Sequence, residues 1–279
     1  MMKQCRTMIE LSSINPNDFN TCKYSKAMDE LVETARNVAE AITRRVKREA
    51  VSKFGREVAM GADGTPTLYI DRVAEEVAMD IIGKKANILS EEIGFIDNDA
   101  DYTFIIDPID GTRNAAHGIP FYCVSIGIGR RDGSTDDVEY GLVKNIPTGD
   151  VYEAFKNKGA YLNGEKIRAS QDYSDKIFVL TLGKSGNEKT WRKVNLHTIR
   201  AMGAAALEMC LVASGAAHAY FMPKESLRVT DFAAGCLIVR EAVGEVYNSN
   251  GEILNVPYSL NVRSSVLAVS DDMIMEALL

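Results

Sequence analysis

Apolar positions recur at helical spacing through Met28, Leu31, Val32, Ala35, Val38, Ala39, Ile42 and Val46, which predicts a long amphipathic helix at the start of the fold. A second periodic run, from about Tyr69 to Lys84, predicts another helix. The pattern then changes to short apolar runs that read as strands at 87–90, 102–106, 122–130, 138–144 and 151–155. Asn163-Gly164 fits a type I′ turn between strands at 159–162 and 166–168. Beyond a polar stretch at 171–175 the elements alternate: strand 177–182, helix 204–214, strand 218–222, helix 231–242, strand 266–270 and a terminal helix after Asp271. Helices first, a strand-rich middle and then alternation predict two αβ halves, an α+β half over 1–172 and an α/β half over 173–279.

A length of 279 residues suits one large domain or two modest ones around a shared cleft. A net charge of −7 argues against a nucleic-acid partner or an anionic membrane surface. It leaves an anionic small molecule open, because bound divalent cations reverse the local sign. The cysteines (Cys5, Cys22, Cys123, Cys210 and Cys236) are odd in number and show no paired metal spacing, which points to a reducing, cytoplasmic setting. Cys210 and Cys236 fall in apolar helical runs and read as small buried hydrophobes. Met1–Leu11 lacks the apolar core of a signal peptide, and no apolar run approaches membrane-spanning length. The segment Met1–Thr21, with its turn-rich Asn15-Pro16-Asn17, is left open between loose packing and exchange with a partner.

The chemistry concentrates in Asp107-Pro108-Ile109-Asp110-Gly111-Thr112, directly after the apolar run 102–106. Two carboxylates three residues apart around a proline can turn into one cleft. Pro108 cannot donate to a ladder and is expected to stop the strand. Gly111 allows close backbone approach to a ligand, and Thr112 is expected to N-cap a following helix. Free N–H groups at a helix start suit phosphate, and paired carboxylates suit Mg²⁺. The plain alternative for the hexapeptide alone is an Asx-Pro turn.

Further acids strengthen the metal reading: Glu91-Glu92 after a short apolar stretch, Asp231 at the start of an apolar helical run, and Asp71 after the turn-rich loop 61–67. Taken singly, Asp71 reads as a helix-start acid and Asp231 as a cap, while Glu92 points to solvent or to a partner behind the ligands and stays outside the ligand set. His117, His197 and His218 share no metal spacing, and Trp191 reads as packing. Asp97, Asp99 and Asp101 suggest a calcium loop, but its twelfth position is Pro108, which excludes it.

Together, Glu91-Glu92, the stretch Asp107 to Asn114, Asp231-Phe232-Ala233-Ala234-Gly235 and the small-residue run Met209 to Ala217 resemble the inositol monophosphatase family of Mg²⁺-dependent phosphatases. The resemblance runs from about Lys26 to the C-terminus. The loop 61–67 is most similar to the archaeal-type branch, whose members often hydrolyse fructose 1,6-bisphosphate as well as inositol phosphates. The resemblance implies a layered αβαβα sandwich of the inositol monophosphatase/fructose-bisphosphatase type, combining α+β and α/β halves, usually as a homodimer with the site between them. The first half would carry most metal ligands, and the second would supply Asp231 and substrate contacts.

The resemblance also implies two to three Mg²⁺ ions and a small phosphate ester as substrate. Asp107 would bridge, with Glu91 and the Ile109 carbonyl on the first metal and Asp110 and Asp231 on the second. Asp71 would hold a weaker third through waters. Asp71, Glu91 and Thr112 would be catalytic, Asp71 and Thr112 orienting the attacking water. Gly111 and Thr112 would hold the phosphate, and Asp110 and Asp231 would also face substrate. Arg200 and Arg228, with Lys224 as a further candidate, would meet the second phosphate of a bisphosphate. Thr230 stands where the family usually has an aromatic residue, Val243-Gly244 replaces a common Gly-Gly and Ala115 replaces the usual Phe, so substrate choice is the open question. A haloacid-dehalogenase-type phosphatase needs an Asp two positions before the Asp of its Asp-Gly-Thr, where this chain has Pro108. A nucleotide phosphatase and a non-catalytic regulatory member of the family are the remaining alternatives.

Overall fold

The stripe from Met28 to Val46 becomes the buried face of a helix, Lys26–Arg48, and a second helix, Tyr69–Ile82, packs beside it. A computed structural model describes residues 26–61, 66–172, 174–181 and 197–279. Met1–Thr21, Cys5, Cys22, most of the loop 61–67 and Trp191 lie outside the described residues.

In chain order the strands are β1 (Glu57–Met60), β2 (Pro66–Leu68), β3 (Asn87–Ser90), β4 (Gly94–Ile96), β5 (Tyr102–Asp110), β6 (Cys123–Arg130), β7 (Val138–Asn145), β8 (Val151–Phe155), β9 (Gly159–Leu162), β10 (Glu165–Ile167), β11 (Ile177–Leu180), β12 (Thr198–Arg200), β13 (Ala219–Leu227), β14 (Glu245–Tyr247) and β15 (Ser264–Val269). Among the described residues they form a β1–β2 hairpin and two sheets. One has eight strands in the order β10-β9-β8-β7-β6-β5-β3-β4, and the other has five in the order β12-β11-β13-β15-β14. Asn163 and Gly164 both take positive φ (51° and 85°) between β9 and β10, the backbone a type I′ turn requires.

Strand alternation sorts side chains into layers. Phe104, Ile106, Val124 and Ile126 of the larger sheet pack against the two N-terminal helices. Ile105, Cys123 and Val143 face the opposite way, onto a middle layer made of the helices Ala205–Ala213 and Val229–Glu241. Tyr220, Val266 and Ala268 of the smaller sheet close that layer from the other side, while Phe221, Leu267 and Val269 pack on the terminal helix Asp272–Leu278. The result is the expected αβαβα sandwich. Both middle helices lack a polar face, as helices buried between two sheets must.

Two glycines set how closely the middle layer lies. Gly127 and Gly141 are cross-strand partners on β6 and β7, and a Cβ on Gly141 would meet the Ala234 carbonyl oxygen at 3.0 Å. The helix Val229–Glu241 therefore rests on the sheet backbone, and this brings Asp231 to the strand that carries Asp107.

Pro108 does not stop its strand. β5 continues to Asp110 through a register shift: Asp107 pairs with Ser125, and Asp110 pairs with Cys123. One extra residue is accommodated there as a bulge, so the missing N–H of Pro108 falls where the ladder is already interrupted. Thr112 does not cap. Gly111, with φ of 89°, is the N-cap of the short helix Thr112–Ala116, and Thr112 is its first helical residue. Asp231 likewise stands inside its helix, three residues beyond the N-cap Arg228.

Candidate active site

The bulge in β5 explains why two aspartates three residues apart share a cleft. In an unbroken strand Asp107 and Asp110 would point to opposite faces. The extra residue resets the phase, so both turn toward the middle layer and line one cavity of about 220 Å³. Glu91 follows β3, which runs parallel to β5, and Asp231 comes from the helix laid across the sheet. One carboxylate oxygen from each of Glu91, Asp107 and Asp231 lies within 4.8 Å of the others. Ile109, Gly111, Thr112 and Arg228 line the same cavity.

Local bonds fix these side chains. Asp107 Oδ1 accepts the Ile109 N–H at 3.0 Å, folding the carboxylate over the bulge. Asp110 accepts the N–H groups of Ala205 (3.1 Å) and Ala206 (2.7 Å) at the start of the helix Ala205–Ala213. Asp231 accepts the Arg228 N–H at 2.8 Å, and the Arg228 guanidinium forms an ion pair with Glu91. The Thr112 hydroxyl lies 2.8 Å from Asp71 Oδ1 and 2.9 Å from the Ile109 carbonyl, so it links a helix of the outer layer to the cavity floor. Asp71 itself does not line the cavity; it stands behind Thr112.

Charge is crowded here. Burial, followed by Glu91, Asp110, Asp231 and Asp71, pushes the Asp107 carboxyl well above the usual range. Burial and Asp231 push Asp110 to about 8, and burial pushes Asp71 to about 7 despite its bond from Thr112. Burial also raises Asp231, against the opposing pull of the Arg228 N–H, the Arg228 charge and Arg263. Carboxylates so placed gain from a hard cation that takes oxygen ligands. The donor set of Glu91, Asp107 and Asp231 therefore fits Mg²⁺, with Asp110 and the Ile109 carbonyl alongside.

Arg200 is not brought to the cavity. It lies on the edge strand β12, exposed, with Nη1 donating to the Ile199 carbonyl at 2.9 Å. Its nearness in sequence to Gly203, which does line the cavity, is no guide to where an edge strand points a long side chain. Lys224 is also exposed, on β13. Other acids were not foreseen. Glu208, buried in the helix Ala205–Ala213, lines the cavity and accepts the N–H groups of Met202 (2.7 Å) and Gly203 (3.0 Å). A lone acid inside the apolar run Ala205 to Val212 was its sequence signal. Glu75 is buried one turn beyond Asp71. It accepts the Ser90 hydroxyl at 2.5 Å and the Ile93 N–H at 3.2 Å, and so brackets Glu91 and Glu92 from both sides.

The chain is similar to known proteins over most of its length. The chain is 37% identical over 258 residues to a fructose-1,6-bisphosphatase/inositol-1-monophosphatase of Methanothermobacter thermautotrophicus, covering 86% of this chain and 90% of that one. It is also 37% identical over 268 residues to a bifunctional NADP phosphatase/NAD kinase of Methanococcus maripaludis, covering 87% of this chain but 47% of that protein, so it spans about half the length of this relative. A solved hypothetical protein of Pyrococcus horikoshii with similarities to inositol-1 monophosphatase superposes with a TM-score of 0.77 at 30% identity, covering 90% of this chain and 96% of that one. The model of the inositol monophosphatase family matches residues 24–279, and this chain belongs to that family.

Proposed function

We propose that the protein is a Mg²⁺-dependent phosphomonoester hydrolase acting on fructose 1,6-bisphosphate and inositol 1-phosphate, with two to three ions per site. The convergence of Glu91, Asp107 and Asp231 within 4.8 Å at the floor of a small-molecule cavity carries this reading. The archaeal relatives named for both activities support the choice of substrates. A homodimer in the cytoplasm belongs to the same proposal.

Bound among these carboxylates, Mg²⁺ would supply Lewis-acid charge and lower the pKa of a coordinated water. The chain's own residues provide the rest. Asp107 on β5 and Glu91 just past the end of the neighbouring β3 hold their carboxylates on a rigid sheet, and Asp231 would complete the set from the helix crossing it. The Thr112 hydroxyl, held between Asp71 and the Ile109 carbonyl, positions a water for in-line attack. Asp71 accepts that hydroxyl's proton in a hydrogen bond at 2.8 Å and so orients its oxygen toward the water. Water attack is a single displacement, so it inverts phosphorus and forms no covalent aspartyl species. A cavity of about 220 Å³ holds the scissile phosphate and its nearest groups, leaving the remainder of a larger ester at the cleft mouth.

The Methanococcus relative favours a second reading, hydrolysis of the 2′-phosphate of NADP⁺. Phosphate release from fructose 1,6-bisphosphate, inositol 1-phosphate and NADP⁺, with Mg²⁺ and with a chelator, separates the two. The sugar and inositol esters should be cleaved fastest, and chelator should abolish turnover. Cleavage of NADP⁺ alone would transfer the assignment to the second reading, and release unaffected by chelator would end the metal mechanism.

A further inference from the structure

Arg228 holds both sides of the cation site at once. Its backbone N–H donates to Asp231 Oδ2 at 2.8 Å, and the Asp231 N–H returns to the Arg228 carbonyl at 3.0 Å, which anchors the main chain at the helix start. Its side chain reaches across the cavity to Glu91, and that ion pair is largely shielded, with side-chain exposures of 14% and 21%. The cavity gathers Glu91, Asp107, Asp110 and Asp231, so a guanidinium on Glu91 offsets much of their repulsion.

Mg²⁺ and a guanidinium on one carboxylate are like charges a few ångströms apart, and they compete for it. The anchored backbone leaves the long side chain as the part that can yield. Within the proposed phosphatase reading, we infer that Arg228 is an exchangeable counter-cation: it neutralises Glu91 in the metal-free cleft, cedes that carboxylate to Mg²⁺, and then meets the phosphate ester. A guanidinium is suited to the second task, because its planar fork can pair with two phosphate oxygens.

The test is calorimetric titration of Mg²⁺ into the substrate-free protein, wild type beside R228M and R228Q, followed by steady-state kinetics on inositol 1-phosphate. R228M removes the charge and keeps the bulk, while R228Q keeps a hydrogen-bond donor without charge. Both variants should bind Mg²⁺ about tenfold more tightly than wild type, the order expected for removing one nearby unit charge at a partly buried site. Both should also show a KM for the ester raised about tenfold. Weaker or unchanged Mg²⁺ affinity in the variants would overturn the inference and make Arg228 an orienting partner of Glu91. Thermal melting identifies a variant that fails to fold, and R228Q decides alone if R228M does. A wild-type protein that binds no Mg²⁺ would refute the phosphatase reading itself, an outcome distinct from a bound metal with the variants shifted the wrong way.

Discussion

Replacing Asp107 by Asn should stabilise the metal-free protein while destroying its response to metal. Asn keeps the size of the side chain and an oxygen that can accept the Ile109 N–H, so the bulge is preserved. What changes is charge. Carboxylate oxygens of Glu91 and Asp231 lie within 4.8 Å of Asp107, and each such pair repels by about 3.5 kcal/mol at an effective dielectric near 20. The Arg228–Glu91 ion pair cancels much of this, leaving a net gain of about 2 kcal/mol at pH 8. For a chain of this size that corresponds to a melting temperature higher by about 3–4 °C in chelator.

The pH dependence has a definite sign. The folded protein raises the Asp107 carboxyl well above its unfolded value, so it holds that proton more tightly than the unfolded chain does. Wild-type stability from this group is full in acid and is lost as pH rises. Asn does not titrate there, so the advantage of D107N should vanish near pH 4 and widen toward pH 8. Saturating Mg²⁺ should reverse the order, raising the wild-type melting temperature but not that of D107N, whose turnover should fall about a thousandfold. The assay is thermal melting across pH with and without Mg²⁺, beside phosphate release. A D107N protein less stable than wild type in chelator at pH 8, or one with the wild-type shift in Mg²⁺, would refute the charge argument.

Two further substitutions probe the supports of the site. E75A leaves the Ser90 hydroxyl and the Ile93 N–H without their acceptor, so melting should show a loss of about 2–3 kcal/mol, and calorimetry a Mg²⁺ affinity about tenfold weaker as Glu91 loses its bracket. E75Q retains the acceptor oxygen and should restore both; failure to do so would assign the effect to the carboxylate's charge. T112A should lower kcat by about a hundredfold with little change in KM, because the hydroxyl positions water rather than ester, and an unchanged kcat would remove Thr112 from the chemistry.

Much of this site was legible because its acidic residues sit in short local motifs that together resemble a known family. Periodicity in the helix Lys26–Arg48 and the apolar run of β5 gave the elements, whereas the layering and the grouping of Glu91, Asp107 and Asp231 came from the resemblance that their motifs carry together. The misreadings arose where a distant partner decides the outcome. Pro108 reads as a strand end from its own covalent structure, yet pairing with β6 carries the strand past it and sets the phase that unites Asp107 with Asp110. Thr112 reads as a cap by type, but Asp71, forty-one residues away, and the Ile109 carbonyl claim its hydroxyl. Arg200, just before the turn at Gly203–Ala206, and Arg228, just before Asp231, looked equivalent as candidate phosphate contacts. One lies on an exposed edge strand, and the other begins a helix pressed onto the glycine pair Gly127 and Gly141. That placement gives Arg228 an acidic partner, Glu91. A candidate cation in such a chain is therefore better judged by the element that carries it than by its distance in sequence from the motif.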